Sequence, residues 1–257
     1  MTPSGAGFRD YFSERAAEYA RFRPRYPARL FEALVRLAPG RGLAWDCGTG
    51  NGQAAVGLAD HFRRVVATDA SLQQLAHAER HPRVAYVRSL ETRSGLAAAR
   101  VDLVTVAQAL HWFDLEPFFA EVGRVLRPGA AIAVWCYDLA RVTPEIDALV
   151  DRFAQETVGP HWTPERRHVR AGYQDLPFPF QERPFPPCTM EREVTLDQFA
   201  GYLDTWSPVR RYRQAVGTDP LPPLIAVMAP LWGDPGVPRA LRWPLKGRVG
   251  TVGQRGR

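Results

Sequence analysis

The heptapeptide Asp46-Cys47-Gly48-Thr49-Gly50-Asn51-Gly52 is the segment of this chain best suited to hold a ligand. It follows a short apolar run, Leu43 to Cys47, and leads into the helix-like QAAVGLADHF. Glycines let a backbone turn tightly and approach a ligand with no Cβ in the way, and ligands of open parallel sheets sit in the crevice beyond the strand ends. The spacing argues against two common uses. A dinucleotide loop reads G-x-G-x-x-G, whereas here Gln53 takes the third glycine's place and Gly52 comes early; a phosphate loop needs Gly-Lys-Ser/Thr, which is absent. Two acids follow in series. Asp69 ends the next apolar run, Val65 to Thr68, where a carboxylate accepts hydrogen bonds from the ribose hydroxyls of an adenosine. Glu91 comes shortly after the third run, Val84 to Val87, where it can flank an adenine edge. Past the fourth run lies Gln108-Ala109-Leu110-His111-Trp112-Phe113. His111 could act as a general base, since imidazole titrates near neutrality, or could only hydrogen-bond its own loop; Trp112 could wall a substrate pocket. Taken singly each acid reads as a solvated loop charge. Placed after consecutive strands, behind one glycine loop, they point to a nucleoside.

The elements that must position these groups are legible in the periodicity. Phe8 to Leu37 repeats apolar residues at three or four, is broken at Pro24 and Pro27, and resumes in ARLFEALVRLA, which predicts two helices with a rigid elbow. Short apolar strands are predicted at Leu43–Cys47, Val65–Thr68, Val84–Val87, Val101–Ala107 and Ala130–Tyr137. The segments QAAVGLADHF, SLQQLAHAERH and PFFAEVGRVL supply helices between them, the last stopped by Pro128-Gly129. Such alternation is the sign of an α/β fold, a mostly parallel sheet covered on both faces. Beyond Tyr137 proline, tryptophan and arginine increase. Asp138 to Pro179 and Asp197 to Trp232 read as helical insertions forming a wall or lid, with late antiparallel strands at Pro184–Val194 and Leu241–Val249.

Composition narrows the partners. The chain has 257 residues, 46% of them hydrophobic and 23% charged, which excludes disorder for the bulk. The longest apolar run, Ala130 to Tyr137, is far short of the roughly 20 residues a spanning helix needs. The charged N-terminus lacks the apolar core of a secretory signal, so a cytoplasmic location is expected. Cys47, Cys136 and Cys188 are too widely spaced for a metal or disulfide framework, and no metal is expected. A net charge of +6 invites a nucleic-acid partner. The arginines are scattered among acids, however, and Lys246 is the single lysine, so no clustered footprint supports one.

The segments DCGTGNGQAAVGLA, ATDAS, LET, VTVAQALHWFD and EVGRVLRPGAAIAVW resemble the successive motifs of class I S-adenosylmethionine-dependent methyltransferases. YFSERAAEYARFRPRYP, YLDTWSPVRRY and RWPLKGRVG are similar to patterns of the small-molecule group that includes the trans-aconitate and cantharidin methyltransferases. The resemblance covers nearly the whole chain and implies a Rossmann-like seven-stranded sheet whose last strand is antiparallel. It implies one methyltransferase domain over 1–257, with N-terminal helices over the cofactor at 1–40, a cofactor-binding core at 41–137 and a substrate wall or lid with the late strands at 138–257. S-adenosyl-L-methionine is the implied cofactor. Asp46, Gly48 and Gly50 would border its methionine moiety and Asp69 would take the ribose. Glu91 and Gln108 would complete the binding set, although ETRSGL is one residue longer than the usual spacing from the acid to Gly-Leu. Tyr11, Tyr19 and Arg23 would fold over the cofactor, aromatic faces suiting a sulfonium and arginine its carboxylate; the two tyrosines read equally well as packing on the first helix. The strand-four loop lacks the Asn/Asp-Pro-Pro-aromatic pattern of enzymes that methylate base amino groups.

The implied activity is methyl transfer to a small molecule, to oxygen in the first place, as a carboxylate or a hydroxyl. A hydroxyl acceptor would need a base, and His111 is the candidate. Two other readings stay open: a cofactor-binding regulatory or interaction protein without catalysis, and a nicotinamide-dependent oxidoreductase. The sequence leaves the oligomeric state unassigned.

Overall fold

The computed structural model describes residues 25–253. The first long helix expected from the periodicity lies outside them; the second is α1 (Ala28–Val35), which follows Pro27 and buries Leu30, Phe31, Leu34 and Val35. The core then alternates as β1 (Leu43–Cys47), α2 (Gln53–Ala59), β2 (Arg64–Asp69), α3 (Leu72–Ala76), β3 (Val84–Arg88), β4 (Val101–Ala107), α4 (Leu115–Val125) and β5 (Leu126–Tyr137). Neighbouring strands run β3-β2-β1-β4-β5, all parallel. A parallel sheet needs apolar side chains on both faces, and β5 shows the resulting period of two. Ala131, Ala133, Trp135 and Tyr137 face one core with α1 and α2, while Ile132, Val134 and Cys136 face the other with Phe118, Val122 and Val125 of α4.

Two boundaries differ from the periodicity. The helix α4 ends at Val125 and not at Pro128-Gly129, because β5 already begins at Leu126 and pairs with Val101 of β4. The helix α3 is only five residues long; Ser71 caps its start by accepting from the Gln74 amide.

The second half adds α5 (Pro144–Arg152), α6 (Arg166–Arg170), β6 (Gln181–Arg183), β7 (Thr189–Val194), α7 (Leu196–Asp204), α8 (Ser207–Val216), α9 (Leu221–Trp232) and β8 (Arg239–Thr251). The helix α5 starts on Thr143, and α7 on a capping box in which Thr195 and Gln198 satisfy each other's backbone amides. Trp206, Trp232 and Trp243 are buried, and the Trp243 indole donates to the Tyr202 hydroxyl at 3.0 Å, so these rings fill the core of the insertion. The sheet has eight strands, one more than the implied seven. The difference lies in β8: residues 245–251 run antiparallel to β5, whereas residues 239–244 pair with β7, which touches no other strand. Among the described residues no helix is long and apolar enough to cross a membrane.

A buried carboxylate anchors the start of β1. Asp102 in β4 is wholly buried and accepts from the amides of Gly42 at 2.8 Å and Leu43 at 2.9 Å, while Arg127 reaches its other oxygen at 2.9 Å. Asp102→Ala strands two amide donors. We expect a loss of about 1–3 kcal/mol in urea unfolding, and Arg127→Ala, which takes the cation from a wholly buried carboxylate, should cost more, up to about 3–5 kcal/mol. A loss under about 1 kcal/mol for Arg127→Ala would mean that the two amides alone hold the carboxylate.

Candidate active site

The five parallel strands end at one edge of the sheet, and the site residues expected between 46 and 112 all lie along it. Asp46, Gly48 and Gly50 are at the end of β1, Asp69 ends β2, Glu91 follows β3, and Gln108, His111 and Trp112 follow β4. Tyr11, Tyr19 and Arg23 lie outside the described residues.

The glycine loop is tied to both neighbours of β1. The Thr49 amide donates to the Thr68 carbonyl at 3.0 Å, and the Gly50 amide to Asp69 Oδ2 at 2.8 Å. The Ser71 amide donates to Asp69 Oδ1, also at 2.8 Å, so two backbone groups fix the orientation of this half-buried carboxylate at the strand end. On the other side Asp46 is fully buried and accepts from the Thr49 hydroxyl at 2.5 Å and the Thr105 hydroxyl of β4 at 2.6 Å. Burial raises its carboxyl to about 6; the two hydroxyls pull it down and the charge of Asp69 pushes it further up. Asp46 therefore shapes the loop from beneath. The role of Thr49 and Thr105 was not foreseen, although a threonine inside the apolar strand VDLVTVA is a signal that a buried partner exists.

The glycines differ in what surrounds them. Gly48 has φ +66° and a Cβ there would lie 2.7 Å from the Ala109 Cβ and 2.9 Å from Phe113 Cζ, so the loop packs directly against the segment after β4. Gly50, at φ +56°, would place a Cβ 3.8 Å from Gln74 Oε1, an ordinary contact with no clash. Of the two, Gly50 is the position where an added methyl meets no close neighbour.

Gln108 serves the strand ends. Its backbone is left-handed, φ +59°, and its side-chain amide makes a closed pair with Tyr137, donating to the carbonyl at 3.0 Å and accepting from the amide at 2.8 Å. That side chain extends the β4–β5 ladder by one artificial rung. Glu91 reaches across to accept from the Asp114 amide at 3.3 Å, joining the loop after β3 to the start of α4.

His111 is half-buried, its ring 4.7 Å from that of Trp112, which is 36% exposed. Its Nδ1 lies 3.1 Å from the hydroxyl of Tyr173, a buried residue beyond α6. Burial pushes the imidazole down to about 3, with smaller electrostatic contributions in the same direction from His168 and Arg166. Arg166 pairs with Asp138 and stacks 3.6 Å over the Trp162 ring. Neither Arg166 nor Tyr173 carried a motif; Arg166 opens the short helix α6 and Tyr173 lies in the turn after it, where only tertiary structure shows what they meet.

A family model described as a methyltransferase domain matches residues 45–134. A methyltransferase of Dictyostelium discoideum is 33% identical over 224 residues, 86% of this chain and 85% of that protein. An S-adenosylmethionine-dependent methyltransferase of Saccharomyces cerevisiae is 30% identical over 131 residues, 48% of this chain and 45% of the yeast protein. The solved structure of a type II methyltransferase from Anaeromyxobacter dehalogenans is 47% identical, covers 91% of this chain and all of that one, and superposes with a TM-score of 0.87.

Two predictions follow from the loop. Gly48→Ala should lower the melting temperature, because its methyl meets Ala109 and Phe113. Gly50→Ala should cost only the roughly 1–2 kcal/mol of a left-handed alanine and lose affinity for S-adenosylhomocysteine; paired melting and calorimetry check both, and equal melting losses would refute the distinction. For Asp46, the folded state keeps its proton between about pH 4 and 6 while the unfolded chain releases it. Its contribution to stability thus falls as pH rises through that window, by on the order of 3 kcal/mol. Asp46→Asn should remove that slope from urea titrations at pH 4, 5 and 6.

Proposed function

From a chain that belongs to the S-adenosylmethionine-dependent methyltransferases, we propose transfer of the methyl group to an oxygen of a small molecule that is already ionised at neutral pH, a carboxylate in the first place. The residues fit the cofactor. Gly50 leaves a bare backbone face where a side chain would stand, and Asp69 is held with both oxygens oriented at the strand end, as a ribose requires. Gly50 and Asp69 would hold the nucleoside, with Glu91 and the Gln108 backbone beside it. When bound, the cofactor supplies a methyl carbon made electrophilic by its sulfonium.

The observation that carries the choice of acceptor is the state of His111. A base works best with a pKa near the operating pH, and an imidazole lowered to about 3 is neutral at pH 7 but a weak proton acceptor. It suits an acceptor that brings its own negative charge. The chain's own contribution to rate is then placement: aligning acceptor oxygen, methyl carbon and sulfur can supply roughly 7–11 kcal/mol.

Transfer of labelled methyl to a panel of small carboxylates and matched alcohols tests the reading directly; labelling of alcohols alone would overturn it. In the same assay, His111→Ala should lower kcat by less than about 10-fold, and activity of the parent should stay flat from about pH 5 to 8. A loss of about 10² to 10⁴ with a limb near pH 6.5 is the mark of a general base, and would reassign the acceptor as a hydroxyl.

A further inference from the structure

We propose that Tyr173 is a positioning residue whose hydroxyl donates to His111 Nδ1 and so holds the imidazole with its proton on Nε2. The consequence for the reaction rests on the reading above, that the acceptor meets His111; the assignment of the proton does not.

The geometry begins with an unfavourable backbone. Tyr173 follows Gly172 with φ +65°, a left-handed conformation that a bulky residue adopts only where its surroundings insist. They do so here. The Tyr173 amide donates to the His168 carbonyl at 2.8 Å, and Arg248 of β8 donates to the carbonyls of Tyr173 at 3.3 Å and Leu176 at 2.7 Å. The side chain is thereby driven into the core beside the strand-four loop, with its ring 6.0 Å from that of His111 and 27° from parallel. This hydroxyl has three hydrogen-bonding neighbours: the Leu110 backbone amide, the Cys136 thiol and His111 Nδ1.

A phenol has one proton to give. The Leu110 amide can only donate, so it takes one of the oxygen's lone pairs. The Cys136 thiol directs its own hydrogen to the Val169 carbonyl at 3.5 Å, which leaves sulfur lone pairs, and sulfur is a weak acceptor. The imidazole nitrogen is the strongest acceptor within reach. When Nδ1 accepts, a neutral ring must carry its proton on Nε2, because the tautomer is set by the bond the other nitrogen makes. His111 is then a donor toward its second partner. A donor stabilises negative charge on an acceptor oxygen and cannot take a proton from a hydroxyl.

The test is the two-bond proton–nitrogen correlation spectrum of the full-length protein labelled with ¹⁵N-histidine, without cofactor or acceptor. The His111 signals are identified by their loss in His111→Asn. We expect Nε2 protonated and Nδ1 in the accepting state near neutral pH, and a mixture of tautomers in Tyr173→Phe. The same variant should lose about 2- to 10-fold in kcat, the usual weight of one neutral hydrogen bond, with unchanged affinity for S-adenosylhomocysteine. A proton on Nδ1 in the parent protein, or identical His111 spectra in parent and variant, would overturn the proposal. Should Tyr173→Phe not fold, the parent spectrum alone decides. Because no acceptor is present, a wrong tautomer defeats this proposal even if carboxylates are methylated, and a wrong acceptor class leaves the tautomer standing.

Discussion

A carboxylate buried without a cation beside it is expensive unless every lone pair is met by a donor, and the edge of this sheet that carries the candidate site is arranged around one. Asp46 has only hydroxyl and amide partners, the nearest being Thr49 and Thr105. Meeting its two oxygens from opposite sides requires β1 and β4 in register and the chain after Cys47 turned back over its own strand. That turn is what sends the Thr49 and Gly50 amides toward β2 and brings Gly48 against Phe113. Phe113 in turn packs on Phe118, and Phe118 on Trp45 within the core of the second face. The loop is in this way continuous with close-packed interior.

The sequence made the first half of the molecule readable because its central strands, β1, β4 and β5, are buried on both faces and therefore nearly free of polar residues. VDLVTVA and AAIAVWCY read as central strands, which the fold bears out, and DCGTGNG between a strand and a helix reads as a candidate ligand loop. The second half resisted for the same reason in reverse. The strand β6, Gln181-Glu182-Arg183, is exposed throughout and pairs at the sheet edge, so its composition carries no trace of its structure. The strand β7 exists because β8 offers it a partner, a fact stored in another part of the chain.

Site chemistry was less readable than site position. Histidine at 111 suggests an acid or base at neutral pH, but its behaviour is decided by burial and by Tyr173, Arg166 and His168, which arrive from the short helix α6 and the turn after it. Glutamine at 108 suggests an amide available to a ligand, yet both ends of that amide close on Tyr137. In each case the residue type was legible and its partner was not, because the partner is distant in sequence and unmarked by any repeat or spacing. Electrostatic environment is a property of the fold, and a lone residue letter does not encode it.

The two-partner strand β8 has a mechanical meaning. Residues 239–244 carry β7 and, through it, the start of α7, while residues 245–251 are stitched to β5, with no loop where one role passes to the other. Covalent backbone cannot stretch, and the rungs on either side of Leu245 resist shear. The α7 end of the insertion is therefore cantilevered from the sheet edge on a stiff beam and not hung from a hinge. Any movement of the second half against the sheet has to come from segments off the beam, such as the stretch from Val142 to Pro179, which lies beyond the Arg141–Arg242 backbone bridge and is held to the core by side-chain contacts and side-chain hydrogen bonds.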